Sequence, residues 1–484
     1  MDKHTRRMYY KIFSEINNIP RPSHHEERIA DYLCHFAESH GLTWRRDGEN
    51  CTVIEKPASP GYEDHEPVVI LNHCDMVCVA EQGRRFNALT DPIKQVIKTD
   101  SDGERWMYAD GTSLGADNGI GLSMALAILA DNTLCHPRLE VLTTTNEEDG
   151  MSGAMAMSSD FIKGRRVLNL DSEAYDEITT GAAGAFMQKA TMPWRRIAMP
   201  KGYTAYDVVI SGGKGGHSGV DITKGRGNAI KILANLLLVA VRQRDIKLYI
   251  ATIGGGDAAA SIPGMAQAKI VIPDTDVENF ETLVTQCDEA LERQYAETDP
   301  ELQADCQRGV WRGPVADEET THLLLASING IPTGPTAMLD ETTAQTSNNI
   351  GTLRLEDNTI VMTTHTRSFD NEAMENLAGQ IARILEVSGA HVETVMKAPA
   401  WKEDEDNETV NLACQTFNDV LGFTPRKVNM HFVLEAGFLV EKFPGLHIAS
   451  IGPRIIEPHS TNEHVQMSTI DNIWKVVVEM LRRM

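Results

Sequence analysis

Histidine and acidic residues stand at the ends of several β-rich runs in this chain, and such side chains can bind metal ions or transfer protons. Each lies in a short loop after a run such as PVVIL, LEVLTTT, RRVLNL or LHIASIGP, or at the start of the helical run GLSMALAILADN. The residues are His73, Asp75, Asp117, Glu147, Glu148, Asp171 and His459. In open α/β sheets the carboxyl ends of the strands form the binding crevice, so we expect these side chains to meet there.

A concentration of carboxylates and imidazoles in one crevice predicts a site for divalent cations. Several negative charges close together are costly unless cations neutralise them. Oxygen and imidazole ligands without cysteine suit Zn²⁺ or another first-row divalent ion, and they argue against a closed structural site. The adjacent Glu147 and Glu148 point in different directions. One of them can therefore bind metal while the other holds a water, as metal-assisted hydrolysis requires.

The spacing of His73 and Asp75 adds a second indication. In an extended segment, residues i and i+2 point to the same side, so Asp75 can accept the second imidazole N–H and fix the tautomer. Taken singly, each signal has a simpler interpretation. The spacing occurs by chance, an acidic pair often begins a solvated helix, and Asp117 can be a helix N-cap. It is the joint pattern that predicts a site.

The elements that would position these residues alternate as in a layered α/β fold. Ser23 and Glu26 have capping-box spacing before an early helix, and short strands then flank a helix up to about residue 180. After a change of character near residues 190–205, a strand, the glycine-rich turn GGKGGHSG, a long helix and further strands and helices indicate a separate α+β unit. We expect the chain to leave that unit at the acidic stretch KEDEDNE, residues 402–408.

Composition excludes several classes of function. With 484 residues the chain is longer than one hydrophobic core normally supports, so we expect two or more compact units. Acidic residues outnumber basic ones 69 to 45, a net charge of −24, which argues against a nucleic-acid partner. There is no run of roughly 18 apolar residues to span a membrane, and MDKHTRRMYYKIF lacks the features of a secretory signal. Eight cysteines without a framework spacing predict reduced thiols in a cytoplasmic protein.

An ordered set of motifs runs nearly from end to end: IPRPSHHEE, NHCDMV, GTSLGADNGIG, TTNEEDGMSGA, LNLDSE, GGKGGHSG, SIGP and PHSTNEHV. In these motifs the sequence resembles the aminoacyl-histidine dipeptidases, also called Xaa-His or cytosolic non-specific dipeptidases, of the di-zinc aminoacylase and dipeptidase clan. The resemblance implies a three-layer α/β di-metal hydrolase domain, formed by residues 1–188 and 398–484. It also implies an inserted α+β lid domain, residues 189–397, through which a homodimer can form.

The resemblance further implies a pair of metal ions held by five of the candidate residues. Two Zn²⁺ ions would be bridged by Asp117, with Mn²⁺ or Co²⁺ as alternative ions. His73 and Asp171 would complete one metal site. Glu148 and His459 would complete the other.

The same resemblance implies roles for residues around the metals. Asp75 would orient the histidine ligand, and Glu147 would be the general base for a metal-activated water. His217, in GGHSG, would help to hold the scissile carbonyl oxygen, on domain closure or across a dimer. Arg367, in THTRS, resembles an arginine that meets a substrate carboxylate, and Glu435, in HFVLEAG, resembles a glutamate near the free α-amine. Without the resemblance, His217 could be an ordinary loop residue and Arg367 a surface residue on a strand.

Two departures from the family pattern concern the substrate-facing part of the chain. Ala259 and Ala260 stand where relatives commonly carry Asn, and Phe432 and Val433 stand where close relatives usually have small residues. We predict metal-dependent hydrolysis of unblocked dipeptides, Xaa-His peptides among them, because a charge for each terminus selects short peptides with free ends. The alternatives are an N-acyl amino acid amidohydrolase on the same metal centre and a catalytically silent peptide-binding relative.

Overall fold

The computed structural model describes residues 5–484, with side chains from Met8 onward. The chain divides into two compact units, and each unit is formed by segments that are separated in the sequence. Unit 1 contains the residues up to 181 together with 403–429 and 435–484, and unit 2 contains 182–402 and 430–434. No pattern in the sequence predicts that the short segment 430–434 belongs to unit 2.

Eleven α-helices occur between residues 5 and 484: α1 (Thr5–Ile16), α2 (Glu27–Ser39), α3 (Ala116–Ala130), α4 (Ser152–Ala156), α5 (Ala229–Gln243), α6 (Val277–Tyr295), α7 (Glu318–Gly330), α8 (Asn371–Val387), α9 (Glu408–Leu421), α10 (Ala436–Lys442) and α11 (Met467–Arg483). Strands in the same part of the chain are β1 (Thr43–Arg46), β2 (Thr52–Lys56), β3 (Val68–His73), β4 (Gln95–Thr99), β5 (Arg105–Ala109), β6 (Leu139–Thr144), β7 (Arg166–Asn169), β8 (Glu177–Ala182), β9 (Gly184–Pro193), β10 (Arg196–Ile197), β11 (Tyr203–Ser211), β12 (Gly216–His217), β13 (Tyr249–Gly255), β14 (Ser261–Ile262), β15 (Ala266–Pro273), β16 (Gln303–Gly309), β17 (Val315–Ala316), β18 (Gly334–Met338), β19 (Ala344–Glu356), β20 (Thr359–Ser368), β21 (His391–Ala398), β22 (Arg426–Met430), β23 (His447–Ser450), β24 (Ile455–Ile456) and β25 (His464–Gln466).

Unit 1 is built on an eight-stranded sheet with the order β1-β2-β6-β3-β7-β23-β8-β22. Its central strands are parallel, because β3 pairs in parallel with β6 and β7, and β7 pairs in parallel with β23. Every residue of β3 and β6 is buried, which explains their largely apolar sequences, since a strand covered on both faces has no polar side. The carboxyl ends of these parallel strands therefore lie at one edge of the sheet.

Helices cover this sheet and share one apolar core with it. Phe13 of α1, Leu33 of α2, Ile120 of α3, Phe417 of α9 and Trp474 of α11 are all fully or almost fully buried in this core. Nearly every residue of α3 is buried, and its sequence has no polar face, as expected of a helix inside a core. No helix in the described part of the chain is long and apolar enough to cross a membrane.

The start of α2 differs from the predicted capping box. Glu26 is the N-cap residue, but no side chain caps the helix there. The Ser23 hydroxyl donates a hydrogen bond of 2.7 Å to Oδ2 of Asp75, and Oε1 of Glu26 accepts one of 2.9 Å from the backbone N–H of Asn146. The prediction was wrong because both side chains bind loops at the carboxyl edge of the sheet instead of their own helix.

Unit 2 is built on a nine-stranded antiparallel sheet. Its main order is β16-β11-β15-β13-β19-β20-β9-β21, and β18 pairs with β19. The helices α5, α6, α7 and α8 contribute buried residues to a second core with these strands. At the start of the glycine-rich turn, Gly212 has φ +79°, and a Cβ there would lie 1.8 Å from the carbonyl oxygen of Glu301. The predicted fold class, an α/β domain with an inserted α+β body, is confirmed.

Candidate active site

Three of the predicted residues form a first group at the carboxyl edge of the unit 1 sheet. His73 ends β3, Asp117 lies in the first turn of α3, and Asp171 follows β7. Nε2 of His73 is 3.0 Å from Oδ1 of Asp117 and 3.2 Å from Oδ1 of Asp171. One nitrogen or oxygen atom from each residue lies within 4.8 Å of those of the other two, so a single cation could contact all three.

A second group shares Asp117 with the first. Glu148 follows β6, and His459 lies in the loop between β24 and β25. Nε2 of His459 is 3.2 Å from Oδ2 of Asp117 and 2.8 Å from Oε2 of Glu148. Since Oδ1 of Asp117 faces the first group and Oδ2 faces the second, this carboxylate is placed to bridge two cations.

The electrostatics of both groups fit divalent cations. Burial raises the pKa of Asp171 to about 6, and the charges of Asp117 and Glu148 act in the same direction. Hydrogen bonds that the His459 ring donates to the carboxylates of Asp117 and Glu148 raise the pKa of His459 to about 11. Oε1 of Glu148 is buried without a hydrogen-bond partner among the described residues. Crowded carboxylates of this kind take up protons or cations, and a nitrogen and oxygen donor set suits Zn²⁺ or a similar ion.

Asp75 lies beside the first group and holds the backbone of the loop after β6. Its carboxylate accepts hydrogen bonds from the backbone N–H groups of Glu147 at 3.1 Å and Glu148 at 3.2 Å. Oδ1 is 3.4 Å from Nδ1 of His73, but among residues 5–484 Nδ1 has no hydrogen-bond partner of acceptable geometry, so the predicted tautomer-fixing bond is present only as a close contact. Asp75 instead fixes both adjacent glutamates at once.

Glu147 has the environment of a group that can accept a proton. Glu147 is buried, with 9% of the residue exposed. Burial raises the pKa of Glu147 well above its usual range; the charge of His73 opposes this shift, and the charges of Asp171 and Glu435 reinforce it. A carboxylate with a raised pKa is a stronger base than an exposed one, which suits general-base chemistry near neutral pH.

Glu463 is a buried residue that the sequence analysis did not single out. It is 2% exposed, and its carboxylate accepts hydrogen bonds from the backbone N–H groups of Leu114 at 2.7 Å, Gly115 at 2.9 Å and Ala116 at 2.7 Å. The turn that it binds leads directly into Asp117. Glu463 therefore holds the backbone that leads into Asp117.

Arg21 is a second buried residue that the sequence analysis missed. It joins two of the loops that carry the two groups of candidate metal ligands, called the metal groups below. It is 1% exposed, and its guanidinium donates to the carbonyl oxygens of Cys74 at 3.0 Å, Asp75 at 2.9 Å and Gly115 at 2.7 Å. Arg21 lies in the motif IPRPSHHEE, as Glu463 lies in PHSTNEHV. Membership in these motifs is the sequence signal that could have identified both residues.

Glu435, which precedes α10, belongs to unit 1 and has an unusual burial. It is 1% exposed, and neither carboxylate oxygen has a hydrogen-bond partner of acceptable geometry among the described residues. Burial raises the pKa of Glu435 to about 8, and the charge of Asp171 adds to this effect. A buried carboxylate without a donor is costly, and a cationic group such as an ammonium would satisfy it.

His217 and Arg367 lie together in unit 2. Nδ1 of His217 accepts hydrogen bonds from the backbone N–H groups of Gly219 and Val220, so the proton of the neutral ring is assigned to Nε2. Arg367 lies on β20 and is 4% exposed. Its guanidinium nitrogen Nη2 is 3.4 Å from Oγ of Ser218.

Of the two alanines that depart from the family pattern, Ala260 supports this loop through its backbone. Its carbonyl oxygen accepts a hydrogen bond of 2.8 Å from the backbone N–H of Ser218. The loop that carries His217 is therefore held without an Asn side chain at that position.

Comparisons with known proteins identify relatives of this chain. Residues 69–483 match the peptidase family M20/M25/M40. The chain is 32% identical over 477 residues to the cytosol non-specific dipeptidase of Escherichia coli (strain K12), which covers 98% of this chain and 96% of that protein. It is also similar to the crystal structure of aminoacylhistidine dipeptidase from Vibrio alginolyticus, with a TM-score of 0.91 and 32% identity over 98% of this chain and 96% of that one. A tripeptidase from Staphylococcus aureus shares the fold, with a TM-score of 0.60 and 15% identity over 99% and 98% of the two chains. The resemblance found in the sequence is thus confirmed, and the chain belongs to the peptidase family M20/M25/M40.

Proposed function

We propose that this peptidase hydrolyses dipeptides whose two ends are free, Xaa-His peptides among them, and that it holds two Zn²⁺ ions in unit 1. The observation that carries the proposal is the pair of ligand groups that share Asp117, with the buried Glu147 beside them. The relatives from Escherichia coli and Vibrio alginolyticus are named as dipeptidases, which supports the same class of substrate. Mn²⁺ and Co²⁺ are the alternative ions.

Five residues would hold the two ions. His73, Asp117 and Asp171 form one donor set, and Asp117, Glu148 and His459 form the other. When bound, two divalent ions polarise the peptide carbonyl as Lewis acids and make a water molecule easier to deprotonate near neutral pH.

Glu147 is proposed as the group that moves the proton. Its carboxylate accepts the proton of the attacking water and then gives it to the nitrogen of the leaving amine, so that a single group serves both halves of the reaction. The hydrogen bond from its backbone N–H to Asp75 restrains the loop, and such restraint keeps a base in a reactive position.

The ends of the substrate are proposed to meet two buried charges. The two carboxylate oxygens of Glu435 have no hydrogen-bond partner of acceptable geometry in the described part of the chain, and we assign to Glu435 the free α-ammonium group. Arg367 has no acidic partner in unit 2, and we assign to it the C-terminal carboxylate, with Nε2–H of His217 as a donor to the carbonyl oxygen. A blocked or longer peptide would leave one buried charge unpaired, which lowers its affinity.

The test is hydrolysis of a peptide panel by protein that has been stripped of metal and reloaded with Zn²⁺, Mn²⁺ or Co²⁺ separately. The panel contains free dipeptides including Xaa-His, their N-acetyl and C-terminal amide forms, and N-acetyl amino acids. We expect free amino acids from unblocked dipeptides only. Cleavage restricted to N-acetyl amino acids would favour an amidohydrolase, and dipeptide binding without cleavage would favour a silent peptide-binding protein.

We also propose that the protein acts in the cytoplasm and forms a homodimer through residues 189–397. The support is the resemblance found in the sequence and the name of the Escherichia coli relative. Cell fractionation tests the location. Sedimentation equilibrium tests the dimer, which requires about twice the chain mass of 53.4 kDa.

A further inference from the structure

A second buried basic residue, His365, lies on the same face of the unit 2 sheet as Arg367. The two residues are separated by one position on β20, and alternate residues of a strand point to the same face. Across the strand pair, Arg367 lies opposite Ser347 and His365 lies opposite Asn349. His365 is 3% exposed, and neither of its ring nitrogens has a hydrogen-bond partner among the described residues.

His431 reaches the same place from the segment 430–434. Its Nε2 is 2.8 Å from Oγ of Ser347, the residue opposite Arg367, and its Nδ1 has no hydrogen-bond partner in the described part of the chain. His431 is 8% exposed. A Cβ on Gly219, in the loop after His217, would come within 2.2 Å of the carbonyl oxygen of His431, so this loop packs tightly on the segment.

Within the described part of the chain, these basic side chains have no acidic partner. Burial lowers the pKa of Arg367 to about 10 and that of His431 to about 4, and it lowers the pKa of His365 well below its usual value. The charges of Arg367 and His217 lower both histidine pKa values further, and no carboxylate raises any of the three. A buried guanidinium without a counter-ion is destabilising, and each buried nitrogen without a partner adds to that cost.

We propose that His365 and His431 are specificity-determining residues that join Arg367 in binding the C-terminal carboxylate of the substrate. The inference rests on the proposed function and extends it to two residues for which no role was predicted. A carboxylate offers about four lone-pair directions. The guanidinium fork fills two of them, and one N–H from each neutral imidazole fills the others. When the Ser347 hydroxyl donates to Nε2 of His431, the ring proton resides on Nδ1, which is then free to donate to the ligand.

The experiment measures binding separately from turnover. The probes are the dipeptide Ala-His and its C-terminal amide, titrated calorimetrically into the full-length, metal-loaded Glu147→Gln protein, and the parent protein supplies KM and kcat. The variants are His365→Phe, which keeps the ring and removes both nitrogens, His365→Gln, which keeps a donor, and His431→Phe. The matched control is His391→Phe, because His391 lies on β21 with its side chain 75% exposed.

We expect His365→Phe and His431→Phe each to weaken Ala-His binding about 10- to 100-fold, the effect of losing one hydrogen bond to a charged group. Binding of the amide and kcat at saturation should stay within about twofold, and His365→Gln should recover most of the loss. His365→Phe should also raise the thermal midpoint of the free protein, since it removes two unpartnered buried atoms, whereas a purely structural histidine would lower it.

Equal weakening of both probes, or unchanged Ala-His affinity in both Phe variants, would overturn the inference. The inference would also be overturned if the Glu147→Gln protein without further substitution bound Ala-His no more tightly than its amide. The failure of the proposed function has a different result: the parent protein would bind Ala-His through these residues and yet release no free amino acid.

Discussion

Replacing Glu463 with alanine should loosen the turn that presents Asp117 to both metal groups. Three backbone N–H groups, those of Leu114, Gly115 and Ala116, donate to the Glu463 carboxylate at 2.7–2.9 Å. The residue is 2% exposed, so water replaces the lost acceptor only if the turn opens. The substitution therefore acts on the backbone next to Asp117 without removing any proposed metal ligand.

The expected size follows from the charge of the acceptor. A hydrogen bond to a charged group contributes about 1.5–3 kcal/mol. Since about 1.4 kcal/mol corresponds to a factor of ten, each of the three amides should exchange its hydrogen about 10- to 150-fold faster in the variant. The turn leads directly into Asp117, so we also expect metal affinity to fall about tenfold. This is the lower end of the range for residues that orient metal ligands.

The assay is hydrogen exchange measured by mass spectrometry on metal-loaded full-length protein, with a peptide that covers residues 112–118. A peptide from β13 in unit 2 serves as an internal reference, and its exchange should not change. Glu441→Ala is the matched variant, since Glu441 is an exposed acidic residue of α10 in unit 1. If exchange at Leu114–Ala116 and competition with a chelator for the metal are both unaltered in Glu463→Ala, the positioning argument is refuted.

Three further predictions follow from the same geometry. Glu147→Gln should lower kcat about 10²- to 10⁴-fold, the usual contribution of a general base, while elemental analysis finds unchanged metal content. Chelator treatment should lower the thermal midpoint, and re-added Zn²⁺ should restore it, because ions at about 100 times their Kd stabilise by about 2.7 kcal/mol. Because the pKa of His431 is about 4 when folded and about 6.5 when unfolded, the unfolded chain binds more protons between these values, and stability rises with pH there. Acidification from pH 7 to pH 5 should therefore lower the free energy of unfolding by about 2 kcal/mol. Urea titrations measure this change, and a His431→Phe protein that loses as much stability as the parent protein would contradict the prediction.

The sequence carries most of the information that brings the metal groups together. The apolar runs that became β3, β6 and β7 indicate buried strands, and buried strands in an α/β sheet are typically parallel. Parallel strands end at a common edge, so residues just after them, such as His73, Glu148 and Asp171, must approach one another. Their meeting follows from topology and does not require a knowledge of distances.

Arg21 and Glu463 show where such reasoning stops. Leu114 and Glu463 are separated by 349 positions in the chain, and no periodicity relates a glutamate in a late loop to the turn before α3. A charged residue in a loop is exposed in most proteins, so the sequence alone predicts a solvated side chain at each place. Their burial becomes visible only when the backbone N–H groups and carbonyl oxygens that they bind are located.

The failed capping box at Ser23 and Glu26 has a related cause. Local spacing identifies the hydrogen bonds that a segment can make with itself, but it does not show distant groups that bind the same side chains and turn them away from their own helix. The Asp75 carboxylate, which is fully buried, binds the Ser23 hydroxyl, and a charge-assisted bond of this kind is stronger than one to a neutral backbone group. Local rules therefore fail first beside buried charges, and these cluster where metal ions or ligands are bound.

The two units have opposite electrostatic deficits, and this difference constrains what stabilises them. Unit 1 buries carboxylates, such as Asp171 and Glu435, whose pKa values are raised mainly by burial and further by neighbouring negative charges. Unit 2 buries Arg367 and His365, whose pKa values are lowered mainly by burial. Cations should therefore stabilise unit 1 with little effect on unit 2, and a carboxylate should stabilise unit 2 with little effect on unit 1.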